Sequence, residues 1–254
     1  PYRWRRPTKR SRTAWRMARR FADVLYHQAC ARLLQAFLAR KYKAHVLVFA
    51  GGFTDASCDR WAREIRRLPP GKPLRVVIQT NGGRSSGRSI IVRALSQYPG
   101  PTTVHVPAFA WSAGSAVACT ADRIVMGEDA VLGPFDPYGE PMEGVFAAIE
   151  IDAHAKGVPM SLIRSQNAID DAARCFRSAR TERRDRGFAR ASDTPATDDA
   201  TITDALICGG WGNHWRPVFL ENAQRLGLFV EAEQDPLWRK LAAHAYAVLP
   251  ADDL

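Results

Sequence analysis

The chain has 254 residues, 46% hydrophobic and 24% charged, enough to bury one sizeable core and a helical appendage. Its formal net charge is +10, but residues 1–20 hold nine Arg or Lys and no acid, leaving 27 basic against 26 acidic residues elsewhere. A nucleic-acid reading face spread over the folded body is therefore not indicated.

From the N-terminus, residues 1–20 form a basic arm suited to an anionic membrane surface or RNA, or simply to keeping the chain in solution. Beginning at Pro1 rather than a methionine, the chain leaves room for an upstream signal or anchor. Residues 21–43 predict an amphipathic helix, and His27, Gln28, Arg32 and Gln35 make its apolar run unfit to span a bilayer. Cys30, Cys58, Cys119, Cys175 and Cys208 are odd in number and share no C-x-x-C spacing, so neither a disulfide framework nor a zinc knuckle is indicated. A reducing, cytoplasmic setting fits them, with membrane association left open.

Residues 44–140 alternate strand and helix patterns. The apolar runs His45–Ala50, Leu74–Gln79, Thr102–Val106 and Arg123–Met126 predict strands. Between them, residues 54–68 carry Trp61, Ile65 and Leu68 at helical spacing, a helix after residue 83 carries Ile90, Ile91, Leu95 and Tyr98, and residues 112–121 form a helix of small side chains. This alternation predicts an α/β domain with a mostly parallel sheet flanked by helices. Residues 141–254 read as mainly helical, with helices around 146–156 and 160–180 and a final pair near the C-terminus, packing on the core.

Chemistry concentrates in two turns that each follow a strand and open a helix: Asn81-Gly82-Gly83, and the stretch Ala-Trp-Ser-Ala-Gly-Ser at residues 110–115. Ligands collect at such strand ends in open α/β sheets. Ser112 at a helix start is placed for nucleophilic attack, because unpaired N–H groups and the helix dipole stabilise negative charge there. Gly83 and Ala113 supply candidate oxyanion donors, and Asn81 and Gly82 lie where an extended peptide would pair. Each feature also has an ordinary use, since serine is a common N-cap and glycine pairs mark ordinary turns.

Residues 78–83, Ile-Gln-Thr-Asn-Gly-Gly, and residues 104–137 resemble the serine dehydrogenase proteinase (SDH) family, relatives of SppA and ClpP with the ClpP/crotonase-like fold. The resemblance rests on Gly82 and Gly83, on Ser112, on Ala121 with Asp122, on Leu-Gly-Pro at residues 132–134, and on Asp136 with Pro137. Residues 211–230 continue it more loosely, Trp-Gly-Asn-His-Trp-Arg-Pro resembling the family's Trp-Thr-His-Asp-Tyr-Pro, with Trp215 where the family has aspartate. The resemblance implies a serine peptidase acting on peptide or protein substrates and assembling as a homo-oligomer.

Two residues compete as proton acceptor. Lys156, 44 residues after Ser112, resembles the later lysine of SppA-like Ser-Lys dyads and is the preferred of the two. His214, oriented by Asp136, would complete a triad in the order Ser112, Asp136, His214, the order that the SDH resemblance implies. Otherwise Lys156 is a surface lysine, Asp136 a turn carboxylate and His214 a histidine packed between Trp211 and Trp215. The chain has no His-Glu-x-x-His, P-loop or dinucleotide fingerprint, so an enzyme without metal or cofactor is expected. Two other readings use the same fold, an acyl-CoA thioester enzyme of the crotonase kind and a non-catalytic scaffold.

Overall fold

The computed structural model describes residues 9–136, 138–139, 146–147, 159–188, 199–208 and 214–249. In chain order the elements are α1 (Lys9–Lys41), β1 (His45–Ala50), α2 (Asp55–Arg67), β2 (Leu74–Gln79), α3 (Ser85–Ser96), β3 (Thr102–Val106), β4 (Phe109–Ala110), α4 (Ala113–Thr120) and β5 (Arg123–Met126). There follow β6 (Val131–Leu132), β7 (Tyr138–Gly139), β8 (Phe146–Ala147), α5 (Pro159–Asp185), α6 (Asp199–Leu206), α7 (Leu220–Arg225), β9 (Val230–Ala232) and α8 (Leu237–Tyr246).

Strands β1, β2, β3, β5 and β9 form one five-stranded sheet in that order, parallel throughout. Its strands are apolar on both sides because both faces are covered. Leu47, Phe49, Val76, Ile78, Val104 and Val106 point into the larger core with residues of α2 to α5, while Val46 and Val77 meet Leu38 of α1 and Trp238 and Leu241 of α8. Helix α2 starts where Thr54 and Ser57 cap each other reciprocally.

The fold is the mostly parallel α/β architecture that the alternating pattern predicted, with three local differences. Helix α1 runs from Lys9, so the part of the basic arm from Lys9 to Arg20 is continuous with the amphipathic helix. Phe146 and Ala147, expected in a helix, pair antiparallel with Tyr138 and Gly139; residues 148–158 lie outside the described residues. Between the two C-terminal helices sits β9, whose three residues with a central glutamate carry too little apolar pattern to be read as a strand, and which gains its partner from β5 and the ion pair of Glu231 with Arg123.

Two buried polar clusters fasten helices to the sheet. Arg183 of α5, 1% exposed, donates from Nε to Asp122 Oδ1 at 2.9 Å, from Nη2 to Asp122 Oδ2, and to the carbonyls of Tyr98 at 2.6 Å and Gly100 at 2.8 Å. Asp122 also accepts from the N–H of Thr102 at 2.7 Å, so the aspartate of the Ala121-Asp122 pair is a structural anchor. On the opposite face, buried His105 stacks on Trp238 at 3.9 Å and its Nδ1 lies 2.6 Å from Glu233 Oε2. Lys41 and Tyr42 both donate to Asp235, at 2.8 and 2.9 Å, tying the end of α1 to the start of α8. Burial alone would raise the Asp235 carboxyl, but hydrogen bonds from Lys41, the Leu237 N–H and Tyr42 bring it below its usual range.

Candidate active site

The two chemistry-bearing turns meet at the C-terminal ends of β1, β2 and β3, and Thr80 joins them. Its buried hydroxyl donates to Gly51 O at 2.6 Å and accepts from the Gly82 N–H at 3.0 Å, while its carbonyl accepts from the Trp111 N–H at 2.9 Å. Gly82 and Gly83 sit at φ +94° and +145°, where a side chain is strained. A Cβ on Gly83 would fall 2.8 Å from Phe53 N, and one on Gly82 would fall 2.8 Å from Trp111 O and 3.2 Å from Ala113 N. The glycine pair is therefore required by close approach to two backbones. Asn81 lies exposed at the same turn.

Ser112 occupies the N-cap position of α4 yet makes no side-chain capping bond, and its backbone stands at φ +50°, ψ −117°. That region is nearly reserved for glycine and costs a residue with a side chain about 1–3 kcal/mol. Half-buried, strained and capping nothing on a strand-to-helix turn, Ser112 has the backbone setting of a nucleophile elbow. Ser115, three residues on, differs: it is buried, donates to Ala110 O and accepts from the Gly133 N–H at 2.8 Å, so it braces the turn. Gly114 allows α4 to pass against the methyl of Thr80. Among the described residues, the N–H groups of Gly83 and of Ala113 make no hydrogen bond.

Asp136 and His214 come together from far apart in the chain. Their side chains are buried, and His214 Nδ1 lies 2.7 Å from Asp136 Oδ1. Leu132 pairs antiparallel with Val218, with N–H···O distances of 3.0 and 2.8 Å, which draws the His214 segment against the strand leading to Asp136. The N–H of Phe135 donates to Leu206 O at 2.8 Å and its ring meets Phe176, fixing the approach to Asp136. The second carboxylate oxygen, Asp136 Oδ2, is buried without a hydrogen-bond partner. Leaving one polar atom unmatched is costly and is tolerated most often at functional sites.

The rings of Trp111 and Trp215 lie 6.4 Å apart and bring the Ser112 turn and the His214 turn to the same side of the molecule. Lys156 and Trp211 lie outside the described residues. Thr80 and the two neighbouring tryptophans were not singled out from the sequence as parts of a site; the only signal was the position of Thr80 directly before Asn81, and of each tryptophan beside a candidate residue.

Burial pushes the thiols of Cys58 and Cys119 up to about 11 and about 12, so both stay protonated and inert at neutral pH. Among the described residues, no group of three or more His, Cys, Asp or Glu is arranged to hold a metal, and no helix is long and apolar enough to cross a membrane.

Known proteins share the fold and the family of this chain. The solved structures of a membrane-bound stomatin-specific protease, in two mutant forms of which one is bound to a substrate peptide, superpose with TM-scores of 0.52 and 0.51 at 19% identity. They cover 75% of this chain and 79% and 74% of theirs, a likeness of fold. An uncharacterized protein of Methanocaldococcus jannaschii is 32% identical over 171 residues, covering 66% of this chain and 57% of the relative. A second uncharacterized protein of that organism is 41% identical over 75 residues, 30% of this chain and 26% of the relative. The chain thus spans little more than half, or less, of these curated relatives. The family model for ClpP-like SDH-type serine proteinases matches residues 52–236, well over half of the chain and all of the turns described above. The chain belongs to the ClpP-like SDH-type serine proteinase family, a family of peptide-bond hydrolases.

Proposed function

We propose that the chain is a serine endopeptidase that forms an acyl-enzyme on Ser112, with His214 as general base and Asp136 as the residue that orients it. The observation that carries this reading is the buried 2.7 Å contact between His214 Nδ1 and Asp136 Oδ1. An imidazole that donates from Nδ1 to a carboxylate leaves Nε2 as the proton acceptor, and the carboxylate stabilises the imidazolium formed in the reaction.

In the first half-reaction the Ser112 hydroxyl proton passes to His214 Nε2 as Oγ bonds to the scissile carbonyl carbon. The tetrahedral oxyanion takes hydrogen bonds from the N–H groups of Gly83 and Ala113. The C–N bond then breaks and the imidazolium gives its proton to the leaving amine. In the second half water attacks the ester, His214 takes its proton, the Oγ–C bond breaks and the proton returns to Ser112. The substrate runs extended past Asn81 and Gly82, pairing through its main chain. Assembly into a homo-oligomer belongs to the same reading; what supports it is the row of exposed apolar side chains Phe21, Leu25, Leu33 and Phe37 on α1, and sedimentation of the purified chain tests it.

Fluorophosphonate labelling followed by intact mass measurement tests the mechanism. The expected result is one adduct on the wild type, lost in Ser112→Ala and His214→Ala and kept in Lys156→Ala. Loss in Lys156→Ala with retention in His214→Ala would transfer the role of base to Lys156, as in a Ser-Lys dyad. No adduct on the wild type at neutral or mildly alkaline pH would overturn the serine nucleophile and favour the thioester or scaffold readings.

A further inference from the structure

Trp111 immediately precedes Ser112 and Trp215 immediately follows His214, and their rings lie 6.4 Å apart at an interplanar angle of 56°. Trp111 packs against Gly133: a Cβ there would fall 2.9 Å from its Cζ3, so only glycine leaves room for the ring, and the Gly133 N–H is fixed in turn by Ser115. Trp215 stands edge-on to the His214 ring, with centroids 5.2 Å apart and an angle of 86°, and is nevertheless 70% exposed. Tryptophan is normally well buried, and a ring this open beside the candidate reacting groups offers an apolar surface to a ligand.

We propose that Trp111 and Trp215 form an aromatic subsite that selects peptides bearing an aromatic side chain on one of the two residues at the scissile bond. This rests on acyl transfer at Ser112. Each tryptophan is one residue, about 3.8 Å of backbone, from a reacting group, which is the spacing between a scissile carbonyl and its flanking side chains. Two indole rings set at an angle offer a face to one side and an edge to the other, and an incoming aromatic ring satisfies both at centroid separations of about 4.5–7 Å. Aliphatic side chains gain only the contact area, and acidic ones lose hydration with no partner ring edge to replace it.

The experiment uses the full chain and peptides identical except for Phe, Trp, Leu, Gly or Asp at the residue before or after the cleaved bond. At one of these positions the aromatic peptides are expected to exceed the Gly peptide in kcat/KM by about 10- to 100-fold, mostly through KM. Trp215→Ala is expected to collapse that ratio and Trp215→Phe to restore most of it. A ratio near one in the wild type, or a ratio that survives Trp215→Ala while all substrates slow together, overturns the subsite, the latter because it marks a structural role through His214. Calorimetric binding of the same peptides to Ser112→Ala needs no turnover. A preference for aromatic peptides there, without turnover by the wild type, would uphold the subsite and sink the acyl-transfer reading, whereas equal binding of Phe and Gly peptides would sink the subsite alone.

Discussion

A methyl group on Gly82 would stand 2.9 Å from Cβ of Ser112, closer than two such carbons approach in folded proteins. The glycine turn therefore sets the position of the serine turn from across the strand ends, and Thr80 holds both. Gly82→Ala is expected to keep the fold by circular dichroism while lowering Ser112 labelling by about 100-fold, the cost of moving a reacting group by about 1 Å. Labelling at the wild-type rate would show that the two turns are not coupled.

Asp136→Asn keeps the shape of the carboxyl group and removes its charge. With a neutral amide opposite Nδ1, the imidazole is no longer held in the tautomer with Nε2 unprotonated, and kcat on a peptide substrate is expected to fall by about 10⁴. An effect below about tenfold would assign Asp136 to structure alone.

Arg183 and Asp122 form a buried ion pair with every guanidinium nitrogen engaged. Arg183→Leu strands Asp122 in the interior and is expected to cost about 3–5 kcal/mol in urea unfolding, whereas joint replacement of both residues by apolar ones recovers much of that loss. Equal destabilisation by the single and double variants would count against the ion pair as the cause.

His105 gives the stability a pH dependence of defined sign. Burial holds its imidazole below the ordinary value of 6.5, even though Glu233 pulls it upward. The unfolded chain therefore takes up the proton first as pH falls, so the contribution of His105 is complete above about pH 6.5 and is lost as pH drops through the folded value. The melting temperature is expected to fall with acidification in that window, and His105→Gln to flatten the slope there. A variant with an unchanged slope would move the origin of the effect elsewhere.

The parallel core was legible because its strands are buried on both faces, so β1, β2, β3 and β5 stand out as apolar runs whose ends coincide with the structure. Strand β9 was not legible, since three residues with a central glutamate become a strand only through β5. At the site, the strand-turn-helix pattern marked Ser112, but nothing local in the sequence distinguishes a capping serine from one at φ +50°. The contact of His214 with Asp136 spans 78 positions and depends on the pairing of Leu132 with Val218, a two-residue ladder with no sequence signature. Likewise Thr80 earns its role from three chain segments that converge on it.

The late position of His214 and of β9 gives synthesis of the chain a direction. Residues up to Met126 complete four of the five parallel strands and the Ser112 turn, and domains form from the N-terminus as they leave the ribosome. His214 and the fifth strand arrive about a hundred residues afterwards, so Ser112 and its turn are made well before the His214–Asp136 contact can form. If Ser112 and His214 act together as proposed, the unfinished chain is inactive until the last strand has docked.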